Sequence, residues 1–365
     1  MSLKHLFVVP LSGFALSVTL AGCSVPEGTH ITDCVDQGEL HVVCGLQSPE
    51  DIAIVPGGDY LLLSELGSMG GERPGRIVLF NVNDESWQPL FPPGEAAAPV
   101  QVQGDASCTQ PPGPEMSPHG SHLVQLEDGS WRYLVVNHGG REAVELFSLQ
   151  VPPGGQPSLQ WQGCVVAGDN TLINDVVGLA NGDVIYTRMY HPDDFMGMGR
   201  GLMGLETGDV WRWNKATGLS LLPGTTGSLT NGIEVSKDER FIFINQYMDK
   251  EVHKYELAAE KVVGIGQVPN VDNSAGGPGG ELWLASQSSD LASYLACTKD
   301  ESVTCGMAFD IVALDPQSMQ GRVIFSHQGP PMGAATVATA HRDKVYIGSY
   351  LGDRLLIVPL SAFAQ

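Results

Sequence analysis

The chain has 365 residues, with 19 lysines and arginines against 41 aspartates and glutamates, a formal net charge of −22. That balance argues against nucleic acid as a partner, since phosphate binding needs a basic patch, and against charge-driven adhesion to anionic lipid. Its 45 glycines and 24 prolines suit a fold of many tight turns rather than a helical one.

Residues 1–22 read as an export signal. Lys4 and His5 make a short basic start, and residues 6–19 form an apolar run too short to span a bilayer comfortably. The run ends in Leu20-Ala21-Gly22-Cys23, which resembles a bacterial lipobox, where cleavage precedes the cysteine and its thiol takes a diacylglycerol. Ordinary secretory cleavage near Ala21 is the other reading. On the lipobox reading Cys23 is lipidated, residues 23–38 are a tether and residues 39–365 form the globular domain. Ser24 then points to the outer membrane of a bacterial cell envelope, touched through the lipid alone. Six further cysteines, Cys34, Cys44, Cys108, Cys164, Cys297 and Cys305, suggest disulfides in an exported chain. Sequence leaves their pairing open. Cys34–Cys44 and Cys297–Cys305 are the natural local loops, which leaves Cys108–Cys164. No C-x-x-C or Cys/His zinc spacing is present.

From residue 52 onward one pattern recurs: an apolar strand, a tight turn, a second strand rich in aromatic or β-branched residues, then a third strand. The first unit has strands at 52–55, 60–63 and 76–80 about a Pro-Gly-Gly-Asp turn. The second has strands at 122–126, 133–136 and 144–147 about Glu-Asp-Gly-Ser, and the third at 176–179, 184–187 and 209–213 about Ala-Asn-Gly-Asp. The fourth has 233–235, 241–244 and 252–255, and the fifth begins at Ser274 and continues at 282–285 and 311–314. The sixth has 337–339, 345–348 and 355–358. Asp-Gly, Asn-Gly and Gly-Gly turns favour hairpins, and no long amphipathic helix is visible. A lone hairpin sheet cannot bury both faces, but radial stacking of such sheets can. The expected fold is all-β, a six-bladed β-propeller, with a two-sheet sandwich as the alternative. A strand near residues 39–43 is placed to complete the last blade.

The first strand of each propeller blade lines the axis, so the residues just before it converge at one mouth. Those positions hold Glu50-Asp51, His119-Gly120, Asn174-Asp175, Asn231-Gly232, Asp272-Asn273 and Ala335-Thr336. Asn, Asp and Gly are ordinary turn residues, but turn chemistry does not require the same choice at the same mouth in five units. Carboxylates crowded on one axis repel one another and resist ionisation, and a cation removes that cost. A set of carboxylate and carboxamide oxygens is what calcium takes.

At these residues the chain resembles the paraoxonase/arylesterase family, over roughly residues 48–359. The likeness is densest at Pro118-His119-Gly120, Asn137-His138, Asn174-Asp175, Asn231-Gly232-Ile233 and Val271-Asp272-Asn273. The resemblance implies two calcium ions on the central axis. Glu50, Asn174, Asn231, Asp272 and Asn273 match ligands of a catalytic calcium. Asp51 and Asp175, with the backbone carbonyl of Ser121, match ligands of a deeper structural one. It further implies that His119, assisted by His138, deprotonates a water that attacks the carbonyl of a lactone, an aryl ester or an organophosphate, the calcium acting as Lewis acid. The expected protein is a monomer acting on a small molecule.

Three departures bear on that reading. No cysteine follows Cys305, so ring closure must rest on strand pairing. Arg188-Met189-Tyr190-His191 stand where the family carries other polar residues. Residues 192–206 form a Gly- and Met-rich insertion, expected to cover the pocket with an apolar wall of Met196, Met198 and Met203 beside Leu229. Its formal G-x-G-x-x-G (199–204) lacks the strand-to-helix setting of a dinucleotide loop. No G-x-S-x-G elbow of a serine hydrolase is present. Two other functions stay open: a non-catalytic, calcium-stabilised binding propeller, and a gluconolactonase-type hydrolase of sugar lactones.

Overall fold

The computed structural model describes residues 30–68, 73–92, 103–168, 171–191, 196–288 and 291–364. The expected signal segment, Cys23, the start of the expected tether and residues 192–195 of the insertion lie outside the described residues. The rest is a six-bladed β-propeller. Five blades are four-stranded sheets, and the second gains a short fifth strand, Gln103–Gly104, parallel to its outer edge. The innermost strands are Pro49–Ile54, Pro118–Gln125, Leu172–Gly178, Thr230–Val235, Val271–Gly276 and Ala335–His341. Each touches the next, and the last touches the first.

Burial explains why this sequence makes blades. The second strands lie between neighbouring blades and are buried on both faces, as in Tyr60–Glu65, Phe241–Gln246 and Lys344–Ser349. Leu61, Leu62 and Leu63 are all fully buried. Each such side chain stabilises the fold by about 1.5–3 kcal/mol relative to exposure. An outer strand such as Lys261–Gln267 alternates exposed and part-buried positions, as a sheet with one wet face does. The core is therefore divided into seams between blades. In one seam Leu134, Val136 and Val144 of the second blade meet Ile173, Val176 and Tyr186 of the third. In another, Ile52 and Leu63 of the first blade meet Val337 and Leu355 of the sixth.

The ring closes as the sequence suggested. His41–Cys44 pairs antiparallel with Arg354–Pro359 as the outer strand of the sixth blade. Among the described residues three disulfides form, Cys34–Cys44, Cys108–Cys164 and Cys297–Cys305. Arg354, 1% exposed, secures the segment that enters this closure. Its guanidinium donates to the carbonyl oxygens of Asp33 (2.8 Å), Pro331 (3.2 Å) and Ile31 (3.3 Å) and to Asp353 (2.9 Å). His30–Ile31 pairs with Thr304–Cys305, so the chain is already docked at the end of the predicted tether.

The strand starts differ from expectation in one respect. The innermost strands begin two to four residues earlier than their apolar runs, and so include residues predicted to precede them. All six carry a register irregularity at that point, between Pro49 and Asp51, Pro118 and Ser121, Ile173 and Val176, Thr230 and Ile233, Val271 and Ser274, and Ala335 and Val337. A bulge breaks alternation and re-aims a side chain, which hides the strand start from a period-two reading.

Replacing Arg354 with alanine should leave three carbonyls without their donor. Hydrogen bonds to charged groups are each worth about 1.5–3 kcal/mol, so a loss of about 4 kcal/mol or more is expected in denaturant unfolding. Amide exchange should quicken across residues 31–44, and unchanged exchange there would show that the closure does not depend on this side chain.

Candidate active site on the propeller axis

The bulges gather their side chains at one mouth of the channel. Four of the innermost strands are entered through a non-glycine residue with left-handed backbone: Ser48 (φ 55°), Leu229 (φ 51°), Asn270 (φ 46°) and Ala334 (φ 54°). Such conformations cost energy and persist where the surroundings over-determine them. Here the last residue of the second strand does much of the holding. Glu65 Oε1 accepts from the Gln47 amide (2.9 Å), and Asn137 Oδ1 from the Ser117 amide (3.1 Å). Gln246 donates to the Thr225 carbonyl (3.1 Å) and accepts from the Thr230 hydroxyl (2.8 Å). The Ser349 hydroxyl reaches the Ala334 carbonyl (2.9 Å). An apolar strand that ends in a buried polar residue thus clamps the loop that delivers the axial group of its own blade. That pattern is visible in the sequence and was not read there.

The predicted residues come together in two tiers. In the upper tier Glu50, Asn174, Asn231, Asp272 and Asn273 are all buried. Asn273 Nδ2 donates to Glu50 Oε1 (2.6 Å), and Gln287 Nε2 donates to Asp272 Oδ2 (2.7 Å). Asn245 Nδ2 holds the Asp272 carbonyl (2.6 Å). Four oxygens, Glu50 Oε2, Asn174 Oδ1, Asn231 Oδ1 and Asn273 Oδ1, are buried with no hydrogen-bond partner. An unpaired buried acceptor is costly. In the lower tier Asp51 accepts from the Ser121 amide (2.7 Å) and hydroxyl (2.8 Å) and from the Ile52 amide (2.8 Å). Asp175 accepts from the amides of Val176 (2.7 Å) and Ile233 (2.8 Å). Close approach on the axis leaves no room for a side chain at two positions. A Cβ on Gly120 would strike the Asp175 carboxylate, and one on Gly232 the Asp272 carbonyl.

Burial dominates the electrostatics. Desolvation, followed by the charges of Asp272, Asp51 and Asp175, pushes Glu50 well above the usual carboxylate range. Desolvation and then Asp51 do the same to Asp175. Burial raises Asp272 to about 7, and further along the innermost strand of the fourth blade it raises Glu234 to about 7. Burial, then the neighbouring His138, holds His119 well below the ordinary imidazole value.

Both histidines are in the site. His119 Nδ1 and His138 Nε2 are 2.8 Å apart, and His119 Nε2 lies 3.7 Å from Glu50 Oε1. The His119 carbonyl accepts from the Ser64 hydroxyl. On its far side His138 Nδ1 is 3.0 Å from each carboxylate oxygen of Glu142, a residue the sequence reading passed over. The loop that carries His138 is fixed by Asn137, which binds the amide and the carbonyl of Gly139 (2.9 and 3.1 Å). Below it Glu145 is fully buried under Arg141 (2.7 Å) and Trp161 (2.8 Å).

His119, Asn174, Asn231 and Asp272 form part of the lining of a cavity of about 570 Å³, whose exposed lining is mostly apolar. Met189 and Tyr190 line it, whereas Arg188 turns into its blade to pair with Asp209 and cover Trp211. The insertion forms a short helix, Gly197–Leu202. Met198, Leu202 and Leu229 line the cavity. Met196 and Met203 do not: they are 49% and 65% exposed, because a short helix can present only one side to the cavity. Tyr294, from the helix Leu291–Cys297, also contributes to the wall.

The donor chemistry fits calcium in the upper tier. Among the described residues no three His, Cys, Asp or Glu side chains group as a metal site, but three of the five upper-tier residues are asparagines, whose oxygens calcium accepts. Of the described axial residues, those with unpartnered oxygens are all in this tier; the lower-tier carboxylates already accept backbone amides.

The arylesterase family model matches residues 32–357. The chain is 22% identical over 329 residues to serum paraoxonase/arylesterase 1 of Mus musculus, covering 86% of this chain and 87% of that protein. It is 22% identical over 326 residues to serum paraoxonase/lactonase 3 of Rattus norvegicus, covering 85% of each. Among solved structures a luciferin-regenerating enzyme shares the fold at a TM-score of 0.53 and 10% identity, over 88% of this chain and 96% of that one. With the family match running from before the closing strand to the sixth blade, over the same strands that carry the two histidines and the axial ring, the chain belongs to the arylesterase (paraoxonase) family.

Proposed function

We propose that the protein hydrolyses lactones and aryl esters, with calcium held on the propeller axis. The observation that carries this reading is the hydrogen-bonded pair His119–His138, set beside four unpartnered buried oxygens at the floor of an apolar cavity. Glu50, Asn174, Asn231, Asp272 and Asn273 would hold the catalytic ion, and Asp51, Asp175 and the Ser121 carbonyl the deeper one. When bound, the catalytic ion supplies a Lewis acid for the substrate carbonyl and for the negative charge that develops on it.

The chain's own residues do the rest. Burial keeps His119 uncharged, so its Nε2 is free to take a proton from water as that water attacks the carbonyl carbon. The bond to His138 orients the ring. The apolar wall of Met189, Met198 and Leu229 excludes bulk water and receives the hydrocarbon part of the substrate. The same wall disfavours the sugar lactones of the gluconolactonase alternative, whose hydroxyls would lose their hydrogen bonds there. A binding propeller without catalysis would need the calcium but not the histidine pair.

His119→Gln should lower kcat by about 10²- to 10⁴-fold on γ- and δ-lactones and phenyl acetate, with little change in KM. Chelation should abolish turnover of the native protein, and added calcium should restore it. A folded His119→Gln protein that turns over at the native rate would remove the histidine from the mechanism. A calcium-binding protein inert to the whole panel would favour the binding propeller.

The raised axial acids also set a pH dependence. Asp272 rises from 3.8 to about 7 and Glu234 from 4.5 to about 7, so the metal-free fold binds protons that the unfolded chain has released. The associated stability is complete below the unfolded values near 4 and is lost as pH rises through about 7. Calcium-free protein should therefore melt at a lower temperature at pH 8 than at pH 5. Calcium should reduce that fall, since Asp272 is a proposed ligand and Glu234 is not, and a metal-free melting temperature that rises over this range would contradict the assignment.

A further inference from the structure

We infer that Glu142 is a positioning residue that fixes the proton arrangement of the histidine pair and leaves His119 Nε2 unprotonated toward the cavity. The inference rests on the proposed role of His119, and it follows from counting donors and acceptors along a chain of three side chains.

An ionised carboxylate only accepts hydrogen bonds. Glu142 sets both oxygens 3.0 Å from His138 Nδ1, so that nitrogen carries the proton. In a neutral imidazole the other nitrogen is then an acceptor, which makes His138 Nε2 the acceptor of the 2.8 Å bond to His119 Nδ1. His119 Nδ1 must therefore be the donor, and its Nε2 is left with a lone pair. That is the nitrogen that faces the axial ring, 3.7 Å from Glu50 Oε1. With the opposite order, His119 Nε2 would carry the proton and could not act as a base.

Glu142 is itself held in place. Its Oε1 accepts from the Ile173 amide (2.7 Å), and its carbonyl accepts from the Ala167 amide (3.1 Å). Ile173 begins the bulge that presents Asn174 and Asp175, so one carboxylate ties the third blade's axial loop to the histidine of the second. The neighbouring cation does not compete for it: Arg141 is bound to Glu145. Tyr186 and Tyr190 are other titratable groups that feel its charge. As His119 takes the proton from water, its Nδ1–H remains bonded to His138. The charge of Glu142, relayed through that ring, favours the cation that forms.

The test uses the calcium-loaded protein with histidines labelled with nitrogen-15, whose ring shifts report which nitrogen is protonated. In the native protein His138 and His119 should both carry the proton on Nδ1. In Glu142→Gln the Ile173 amide retains the side-chain oxygen, and the new NH₂ faces His138 Nδ1. The His138 proton should move to Nε2 and the His119 proton to Nε2. In Glu142→Ala the acceptor is simply lost, and the same shift is expected at His138. Both variants should lose about 10- to 100-fold in kcat, with KM and calcium affinity close to native. Native tautomers in both folded variants, or a kcat within about two-fold of native, would overturn the inference. His119→Gln separates the two levels. If that variant stays active, the base assignment fails whatever the tautomers do. If it is inactive while the Glu142 variants keep native tautomers and kcat, only the role of Glu142 fails.

Discussion

Acidic side chains without water around them are the constraint on which this structure turns. Glu50, Asp51, Asp175, Glu234 and Asp272 sit on or beside one axis, and desolvation is the largest cause of the upward shift of each. The protein offsets part of that cost with backbone amides. Ile52, Ser121, Val176, Ile233 and Val235 all donate to these carboxylates. The amides are available because each innermost strand is the edge of its sheet, so backbone groups along that edge have no ladder partner and are free for the axial carboxylates. The bulges aim the side chains, and the free edges supply donors that let them be buried. What the amides leave over is the set of unpartnered oxygens in the upper tier, which is where a cation has something to gain.

The surrounding propeller is what keeps such a site from relaxing. The axial groups come from five different blades, and the blades meet through tightly buried seams. Moving one ligand would require opening a seam or releasing the polar residue that clamps its loop. A site assembled from several rigid sheets holds its geometry better than one built on a single loop. It also makes ring closure a functional matter, since the strand His41–Cys44 and the clasp of Arg354 complete the blade that packs against the first.

Much of this was legible in the sequence, for definable reasons. The blades announced themselves through hairpin turns, and Gly129 and Gly182 do take the left-handed backbone (φ 83° and 92°) that Asp-Gly and Asn-Gly imply. The axial residues were legible because the same register repeats in five units. The early strand starts were not, since a bulge erases the alternation by which strands are recognised. Glu142 was not, because nothing local distinguishes it from a surface carboxylate four residues after a histidine. Its role depends on the Ile173 amide, brought from another blade. Asn245 likewise acts on another blade, at the Asp272 carbonyl, whereas Gln287 acts on Asp272 of its own blade; their place at or next to the end of an apolar second strand was a usable signal. The Gly- and Met-rich insertion suggests an apolar wall if its methionines all face the cavity. A helix of six residues cannot deliver that, and it divides the methionines in and around it between cavity and solvent.

The cavity separates two kinds of control. Its floor is made of groups whose positions are fixed by cross-blade hydrogen bonds, and substitutions there change the chemistry. Its wall is made of side chains from the second strand of the third blade and from insertions, including Met189, Tyr190, Met198 and Tyr294. The departure at Arg188-Met189-Tyr190-His191 belongs to the wall. Arg188 is committed to Asp209 inside its blade, so the change in polarity at the cavity comes from its neighbours Met189 and Tyr190. Strand alternation separates Arg188 from Met189, since successive side chains face opposite sides, while Tyr190 reaches the cavity from the last position of its strand. Flexible methionines accommodate varied hydrocarbon shapes, while a fixed floor accepts one arrangement of the reacting group. Breadth in the acyl part and strictness at the carbonyl are therefore compatible in one site, because they are properties of different residues.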